Sequence, residues 1–167
     1  MRLTIRSGGQ TGVDRAALDA AIAANVPYVG WCPRGGGAED LTEPPGLLLR
    51  YPFLRETPSE DPRQRTTWNV RDSDATLLLV RGADLPASPG TEFTRQNAEM
   101  VYRKPCRIVR LDAHTSAQGT REWLSDLVNG DDDALDLNVA GPRESQSPGI
   151  YDLSFAYLRQ LLDAVFE

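Results

Sequence analysis

A glycine-rich segment near the start of the chain has the composition of an anion-binding loop. Residues 7–12 read SGGQTG and lie between alternating apolar residues and a helical pattern. Adjacent glycines let the backbone approach a ligand closely, and a helix start offers unpaired N–H groups with a partial positive charge. The residues predicted to bind phosphate or another oxyanion here are Gly8, Gly9, Gln10, Thr11 and Gly12. The alternative is a tight strand–helix turn capped by Thr11, since the segment matches neither Walker A nor GxGxxG.

Three further turns combine glycine with arginine or with a helix start. Arg34 and Gly35 belong to the CPRGGG segment at 32–37, where a guanidinium could bind an anion bidentately. Gly90 and Thr91 begin another helical pattern. Gly141 and Arg143 follow the last predicted strand, where Arg143 either contacts the ligand or pairs with a surface acid. All these residues are predicted to bind the same ligand.

Residues suited to metal or nucleophilic chemistry are scarce. The chain has one histidine, His114, and two cysteines, Cys32 and Cys106, without a CxxC motif. Neither a zinc site nor a histidine base is predicted. Cys32 is either a thiolate ligand for a soft metal or a small buried apolar side chain. We predict no catalytic and no metal-ligating residue.

The elements that position these turns alternate along the chain. Strands are predicted near 3–7, 28–31, 75–80, 107–111 and 135–139, and helices near 11–24, 62–71, 91–103, 121–128 and from 148. Residues 38–58 are predicted to be a long ordered excursion, 82–90 a loop, 131–133 an acidic turn, and Val165 part of the last helix's apolar stripe. Alternating strands and helices predict a single α/β domain over 1–167, Rossmann-like, with three layers and a mostly parallel sheet.

The amino-acid composition limits the classes of partner that the chain is expected to bind. The chain of 167 residues has a net charge of −6, which disfavours nucleic acid and acidic membranes. Its longest apolar run, residues 75–80 with Thr76 inside it, is far too short to span a bilayer. No signal peptide pattern is visible, so a cytoplasmic location is expected. A small anionic or phosphate-bearing ligand remains compatible, because such sites are built locally.

Four segments, taken in order, resemble the molybdenum carrier family, whose members are similar to molybdenum-cofactor carriers. They are SGGQTGVD at 7–14, GWCPRG at 30–35, WNVRDSDAT at 68–76 and NVAGPRES at 138–145. The resemblance spans nearly the whole chain. The family is similar in turn to a wider Rossmann-like group that contains the lysine-decarboxylase-like phosphoribohydrolases. It implies a homo-oligomer that binds molybdenum cofactor, molybdate or a similar phosphate-bearing pterin or nucleotide.

One departure separates the chain from the phosphoribohydrolases. Their PGGxGTxxE pattern corresponds here to SPGTEFT at 88–94, in which Thr94 replaces the acid. Cleavage of an N-glycosidic bond needs a placed carboxylate. A non-catalytic carrier is therefore the leading hypothesis. The alternatives are a nucleotide hydrolase that uses Glu92, Glu144 or Asp14, and a nucleotide sensor.

Overall fold

Six parallel strands form the centre of the fold in the computed structural model, which describes residues 1–82, 84–128 and 133–163. The strands are β1 (Arg2–Arg6), β2 (Tyr28–Cys32), β3 (Leu54–Glu56), β4 (Ala75–Val80), β5 (Cys106–Arg110) and β6 (Ala134–Ala140). Their order across the sheet is β3-β2-β1-β6-β4-β5, and every pairing is parallel. The predicted α/β, Rossmann-like fold is confirmed.

Helices cover the two faces of this sheet. They are α1 (Val13–Ala23), α2 (Leu47–Arg50), α3 (Pro62–Asp72), α4 (Asp84–Ala87), α5 (Pro89–Gln96), α6 (Gln118–Asp126) and α7 (Ile150–Asp163). Helices α1 and α7 pack together, with α6 against α7, while α3 packs on β2 and against α5. This gives the predicted three layers. Among the described residues, no helix is both long and apolar enough to cross a membrane.

The core is centred on β4, as its apolar composition indicates. All six residues of Ala75–Val80 are buried, which is typical of a parallel strand covered on both faces. Leu137 and Val139 of neighbouring β6 and Ile5 of β1 are also fully buried. This rigid centre fixes the positions of the loops that follow β1, β4 and β6.

Two segments differ from the sequence expectations. The excursion 38–58 contains α2 and the edge strand β3, whose Leu54 pairs with Gly30. The predicted loop 82–90 contains α4 and the start of α5, and a π-helical turn at Asn97–Val101 extends α5. A three-residue strand with a single apolar residue has too little periodicity to be recognised. The expectations for Asp131, Asp132 and Val165 fall outside the described residues.

The strand order places a topological switch point between β1 and β6. From β1 the chain proceeds outward through β2 to β3, crosses to β4 on the opposite side, and returns with β6 to the centre. Because the strands are parallel, the loops after β1, β4 and β6 meet at one edge. Ligands of open α/β sheets bind at such a point.

Candidate functional site

The loop after β1 is held in place by the loop after β6. Gly12 has a φ of 77°, and a Cβ there would lie 2.3 Å from the Pro142 carbonyl oxygen. The Val13 N–H, at the start of α1, donates to that same oxygen at 3.2 Å. The backbone of the neighbouring loop therefore occupies part of the donor set that the sequence suggested for a ligand.

Side chains within this loop are also engaged by the protein. The Thr11 hydroxyl donates to the Glu39 carboxylate, and the Thr11 N–H donates to Gln10 Oε1 at 3.0 Å. No side chain caps α1, whose N-cap residue is Gly12. The alternative of a helix cap by Thr11 is therefore wrong. Asp14, in the first turn of α1, binds an arginine of α3.

That arginine, Arg65, is the residue that sequence reasoning missed. Its Nη1 donates to Asp14 Oδ2 at 2.8 Å, and both side chains are largely buried. The guanidinium covers Gly8 so closely that a Cβ there would lie 1.9 Å from Nη1. Burial raises the pKa of the Asp14 carboxyl, although the adjacent Arg65 cation opposes the rise. The helical pattern of 62–71 contains no local signal for this partner in α1.

Arg65 forms one wall of a narrow pocket at the switch point. The pocket holds about 50 Å³, which suits a group of phosphate size, and the second guanidinium that lines it belongs to Arg143. Gly90, near the start of α5, has no atom within 4 Å of the position of a Cβ. Thr91 is fixed by a 2.8 Å hydrogen bond between its hydroxyl and that of Ser88. Two guanidinium groups and the start of α5 thus converge on one small space.

A wider cleft of about 680 Å³ lies beside this pocket. Gln10 and Arg143 line both spaces, and Arg34 and Gly35 line the wider one. Arg34 forms an ion pair with Glu60 at 2.9 Å, but their side chains are 60% and 74% exposed. Since such exposed pairs contribute little, Arg34 can turn toward a ligand at small cost.

Glu39 closes the rim between the loops. Its carboxylate accepts hydrogen bonds from the Thr11 hydroxyl and from the Ser145 hydroxyl, the latter at 2.6 Å. Desolvation alone would raise the pKa of Glu39, but the bonds from Ser145 and Thr11, together with the nearby Arg143, lower it. The Glu39 carboxylate thus engages two hydroxyl donors at the edge of the candidate site.

The residues expected from sequence divide into two groups. Those that line the narrow pocket or the wide cleft are Gln10, Arg34, Gly35, Gly90, Thr91, Gly141 and Arg143. The other four contact protein groups and line neither space. Their partners are Arg65 for Gly8, Leu47 and Leu54 for Gly9, Pro142 for Gly12, and Glu39 for Thr11.

The three candidate catalytic carboxylates are occupied by other partners. Glu92 pairs with Arg95 at 2.6 Å, and the hydrogen bonds from Arg95 and Gln96 lower its pKa to about 2. Glu144 accepts the backbone N–H groups of Gly149 and Tyr151, just before and within the first turn of α7. Asp14 is paired with Arg65. These contacts do not favour an acid–base role for any of them.

Of the two alternatives for Cys32, a metal ligand or a small buried side chain, its environment fits the buried side chain. It is fully buried, its thiol lies 3.5 Å from the Arg55 carbonyl oxygen, and burial raises its pKa to about 11. Within residues 1–82, 84–128 and 133–163, no group of three or more His, Cys, Asp or Glu side chains is arranged to hold a metal ion.

Comparisons with known proteins agree with this architecture. The model of the circularly permutated YpsA SLOG family matches residues 5–162. A solved structure from Syntrophus aciditrophicus SB, named as a putative molybdenum carrier protein, is 37% identical. The match covers 95% of this chain and 94% of that one, with a TM-score of 0.77. A search of curated proteins gave no match.

Proposed function

The chain belongs to the circularly permutated YpsA SLOG family, and from this premise we propose that it is a non-catalytic carrier for molybdenum cofactor or a similar phosphate-bearing ligand. The solved relative named as a molybdenum carrier supports the carrier role. The phosphate or oxyanion binds in the narrow pocket between Arg65, Arg143 and the start of α5. The remainder of the ligand occupies the wider cleft beside Arg34.

The placement of Arg143 is the observation that carries the proposal. Its guanidinium lines both the narrow pocket and the wide cleft. Among the described residues, no carboxylate forms an ion pair with it, whereas Arg34 and Arg65 each have one. A guanidinium with five donors facing two connected spaces is suited to bidentate binding of an anion.

The size of the wider cleft favours an extended ligand over a bare oxyanion. Its volume of about 680 Å³ lies within the range of sites for small organic molecules, roughly 300–1,000 Å³. A tetrahedral oxyanion would fill the narrow pocket and leave this cleft to solvent. A phosphate attached to a pterin or nucleotide uses both spaces.

Arg143→Gln tests the proposal, with Arg103→Gln as the matched control. Arg103 is exposed and precedes β5, at the edge opposite the site. Each protein is purified from cells that make molybdenum cofactor, and bound pterin and molybdenum are measured by fluorescence and elemental mass spectrometry. We expect both in the wild type and in Arg103→Gln. Arg143→Gln should lose about 10- to 100-fold in affinity, as for one charge-assisted contact.

Absence of pterin and molybdenum from the wild type, with no binding of added cofactor, overturns the carrier proposal. The same preparations also test the hydrolase alternative. Incubation with nucleoside monophosphates should release neither base nor phosphate. Turnover that survives Glu92→Gln and Glu144→Gln would require a catalytic group outside the candidates considered above.

Two further properties complete the proposal. We expect a cytoplasmic homo-oligomer, as the family resemblance and the sequence composition imply. A nucleotide sensor would use the same clefts, and it differs from a carrier in changing its assembly state when ligand binds. Sedimentation with and without a nucleoside monophosphate distinguishes the two.

A further inference from the structure

The narrow pocket contains a carboxylate as well as two cations. Asp14 lines it together with Arg65 and Arg143, and among the described residues that line the pocket Asp14 is the one acidic side chain. Its side chain is buried, so water screens the charge much less than it would at the surface. An anion that enters the pocket therefore meets a negative group beside the two guanidinium groups.

The hydrogen bonds of Asp14 leave part of its acceptor capacity free. Its Oδ2 accepts a hydrogen bond from Arg65 Nη1 at 2.8 Å, and the carboxylate also accepts the Gln10 N–H. An ionised carboxylate offers about four acceptor positions, so these two bonds leave room for another donor. Arg65 has five N–H donors, and its bond to Asp14 leaves others for the anion.

A carboxylate in an anion pocket discriminates between oxyanions by whether they carry a proton. An oxyanion with an O–H group can donate that hydrogen to the carboxylate, and such a charge-assisted bond is short and strong. Sulfate and molybdate carry no proton at neutral pH, so their oxygen atoms would face the carboxylate as like charges, which is unfavourable. A phosphate monoester has a second pKa of about 6, so it binds a proton much more readily.

The surroundings of Asp14 favour a proton at this contact. Burial raises the pKa of the Asp14 carboxyl, and the rise is opposed by Arg65 and by Arg15, which is itself paired with Asp40. A dianion in the pocket brings further negative charge close to Asp14, and a nearby like charge favours the protonated form of a carboxyl group. The hydrogen is then shared between the carboxylate and a phosphate oxygen.

We propose that Asp14 is a specificity-determining residue, which makes the narrow pocket bind a phosphate group together with one proton and exclude sulfate and molybdate. Hydrogen phosphate brings this proton itself, whereas a fully ionised phosphate monoester takes it from solvent. The inference rests on the proposed function, because it concerns the same pocket. It narrows the ligand to a phosphate-bearing molecule, so that molybdenum is bound only as part of such a molecule.

Asp14→Asn tests the specificity, with Asp19→Asn as the matched control. Asp19 is also on α1, where it accepts the hydroxyl groups of Tyr51 and Tyr151, and it lines neither the narrow pocket nor the wide cleft. Calorimetric titrations with inorganic phosphate, sulfate and molybdate measure the affinity ratios. The wild type and Asp19→Asn should bind phosphate roughly 30- to 100-fold more tightly than sulfate or molybdate. In Asp14→Asn, whose amide both donates and accepts, the affinities should agree within about threefold.

A second measurement uses the wild type and does not depend on the folding of a variant. From about pH 8 to about pH 9, adenosine monophosphate has lost its last phosphate proton, whereas inorganic phosphate still carries one. Because the complex with adenosine monophosphate takes up a proton, its affinity should fall about tenfold over this pH unit. The affinity for inorganic phosphate should stay constant.

The possible failures separate this inference from the proposed function. Absence of binding by both inorganic phosphate and adenosine monophosphate overturns the proposed function, and the inference with it. Equal affinities of the wild type for phosphate and sulfate, or an affinity for adenosine monophosphate that does not depend on pH, overturn the inference alone. The same change of ratio in Asp14→Asn and Asp19→Asn assigns the effect to net charge and also overturns it. Thermal unfolding verifies the fold of each variant, and the pH series decides if Asp14→Asn is unfolded.

Discussion

At the scale of single residues, Glu39 competes with the ligand for the site. Its carboxylate accepts hydrogen bonds from Thr11 and Ser145 and lies close enough to Arg143 for that cation to lower its pKa. An incoming phosphate is attracted by the same groups. Glu39→Gln removes the negative charge, so affinity for a nucleoside monophosphate should rise roughly 3- to 10-fold, or about 1 kcal/mol. Isothermal titration calorimetry measures this, and unchanged or weaker binding contradicts it.

The lowered pKa of Glu39 also makes stability depend on pH. Its hydrogen bonds favour the ionised form, so their contribution is complete above the ordinary pKa of 4.5. It is lost as the pH falls through the lower pKa of the folded state. The loss of unfolding free energy between neutral pH and about pH 4 should be smaller in Glu39→Gln than in the wild type. Urea titrations at both pH values measure the difference, and identical losses refute the role given to Glu39.

The buried pair of Asp14 and Arg65 stabilises one wall of the narrow pocket. The two side chains are 4% and 13% exposed, so removal of the cation leaves a buried carboxylate without its partner. Arg65→Leu should reduce the unfolding free energy by about 3–5 kcal/mol. The double variant with Asp14→Ala should lose less than the sum of the single losses. Urea unfolding of the four proteins measures the coupling, and additive losses would show that the pair does not act as a unit.

At the scale of elements, two glycines of the site have opposite structural roles. A Cβ on Gly141 would lie 2.3 Å from the Leu79 carbonyl oxygen and 2.5 Å from Val13 Cγ2, whereas Gly90 has open space at that position. Gly141 therefore allows the loop after β6 to pack between β4 and α1. Gly90 leaves the narrow pocket open at the start of α5.

Alanine substitutions separate these roles. Gly141→Ala should destabilise the protein by about 1–3 kcal/mol through overpacking. Gly90→Ala should keep or raise the unfolding free energy, since alanine favours a helix over glycine by up to about 1 kcal/mol. Its methyl group enters the pocket, so phosphate binding should weaken. Thermal unfolding and calorimetry together measure both effects, and normal phosphate binding by Gly90→Ala would exclude the narrow pocket as the anion site.

An element can be predicted from the sequence when the residues that specify it lie close together in the chain. The buried strand β4 and the helix α3, whose N-cap Asp61 accepts the Arg63 N–H, have clear apolar runs or caps. Strand β3 exists because Leu54 and its neighbours pair with β2, a contact between distant segments. Arg65 was overlooked for the same reason, because its partner Asp14 is 51 residues away in sequence.

At the scale of the whole molecule, the order of the strands in the sheet creates the candidate site. Gln10, Gly90 and Arg143 come from the segments that follow β1, β4 and β6, Gly90 from the first turn of α5. They meet because β1, β6 and β4 are successive neighbours at the centre of the sheet. The sequence predicted a mostly parallel sheet and one ligand for these turns, and parallel strands end at the same edge of a sheet. It could not predict which turns are adjacent, because the strand order depends on contacts between distant elements.

A ligand that bridges these loops should stabilise the whole fold, and its identity should determine by how much. At 100 times its dissociation constant a ligand adds about 2.7 kcal/mol, which for a chain of this size raises Tm by roughly 5–10 °C. We expect a nucleoside monophosphate to give a larger shift than molybdate at equal concentration, because it contacts both the narrow pocket and the wide cleft. Differential scanning calorimetry of the wild type and Arg143→Gln measures this, and the shift in the variant should fall to about half or less of the wild-type shift. A larger shift with molybdate would mean that the narrow pocket alone forms the binding site and that the wide cleft has another role.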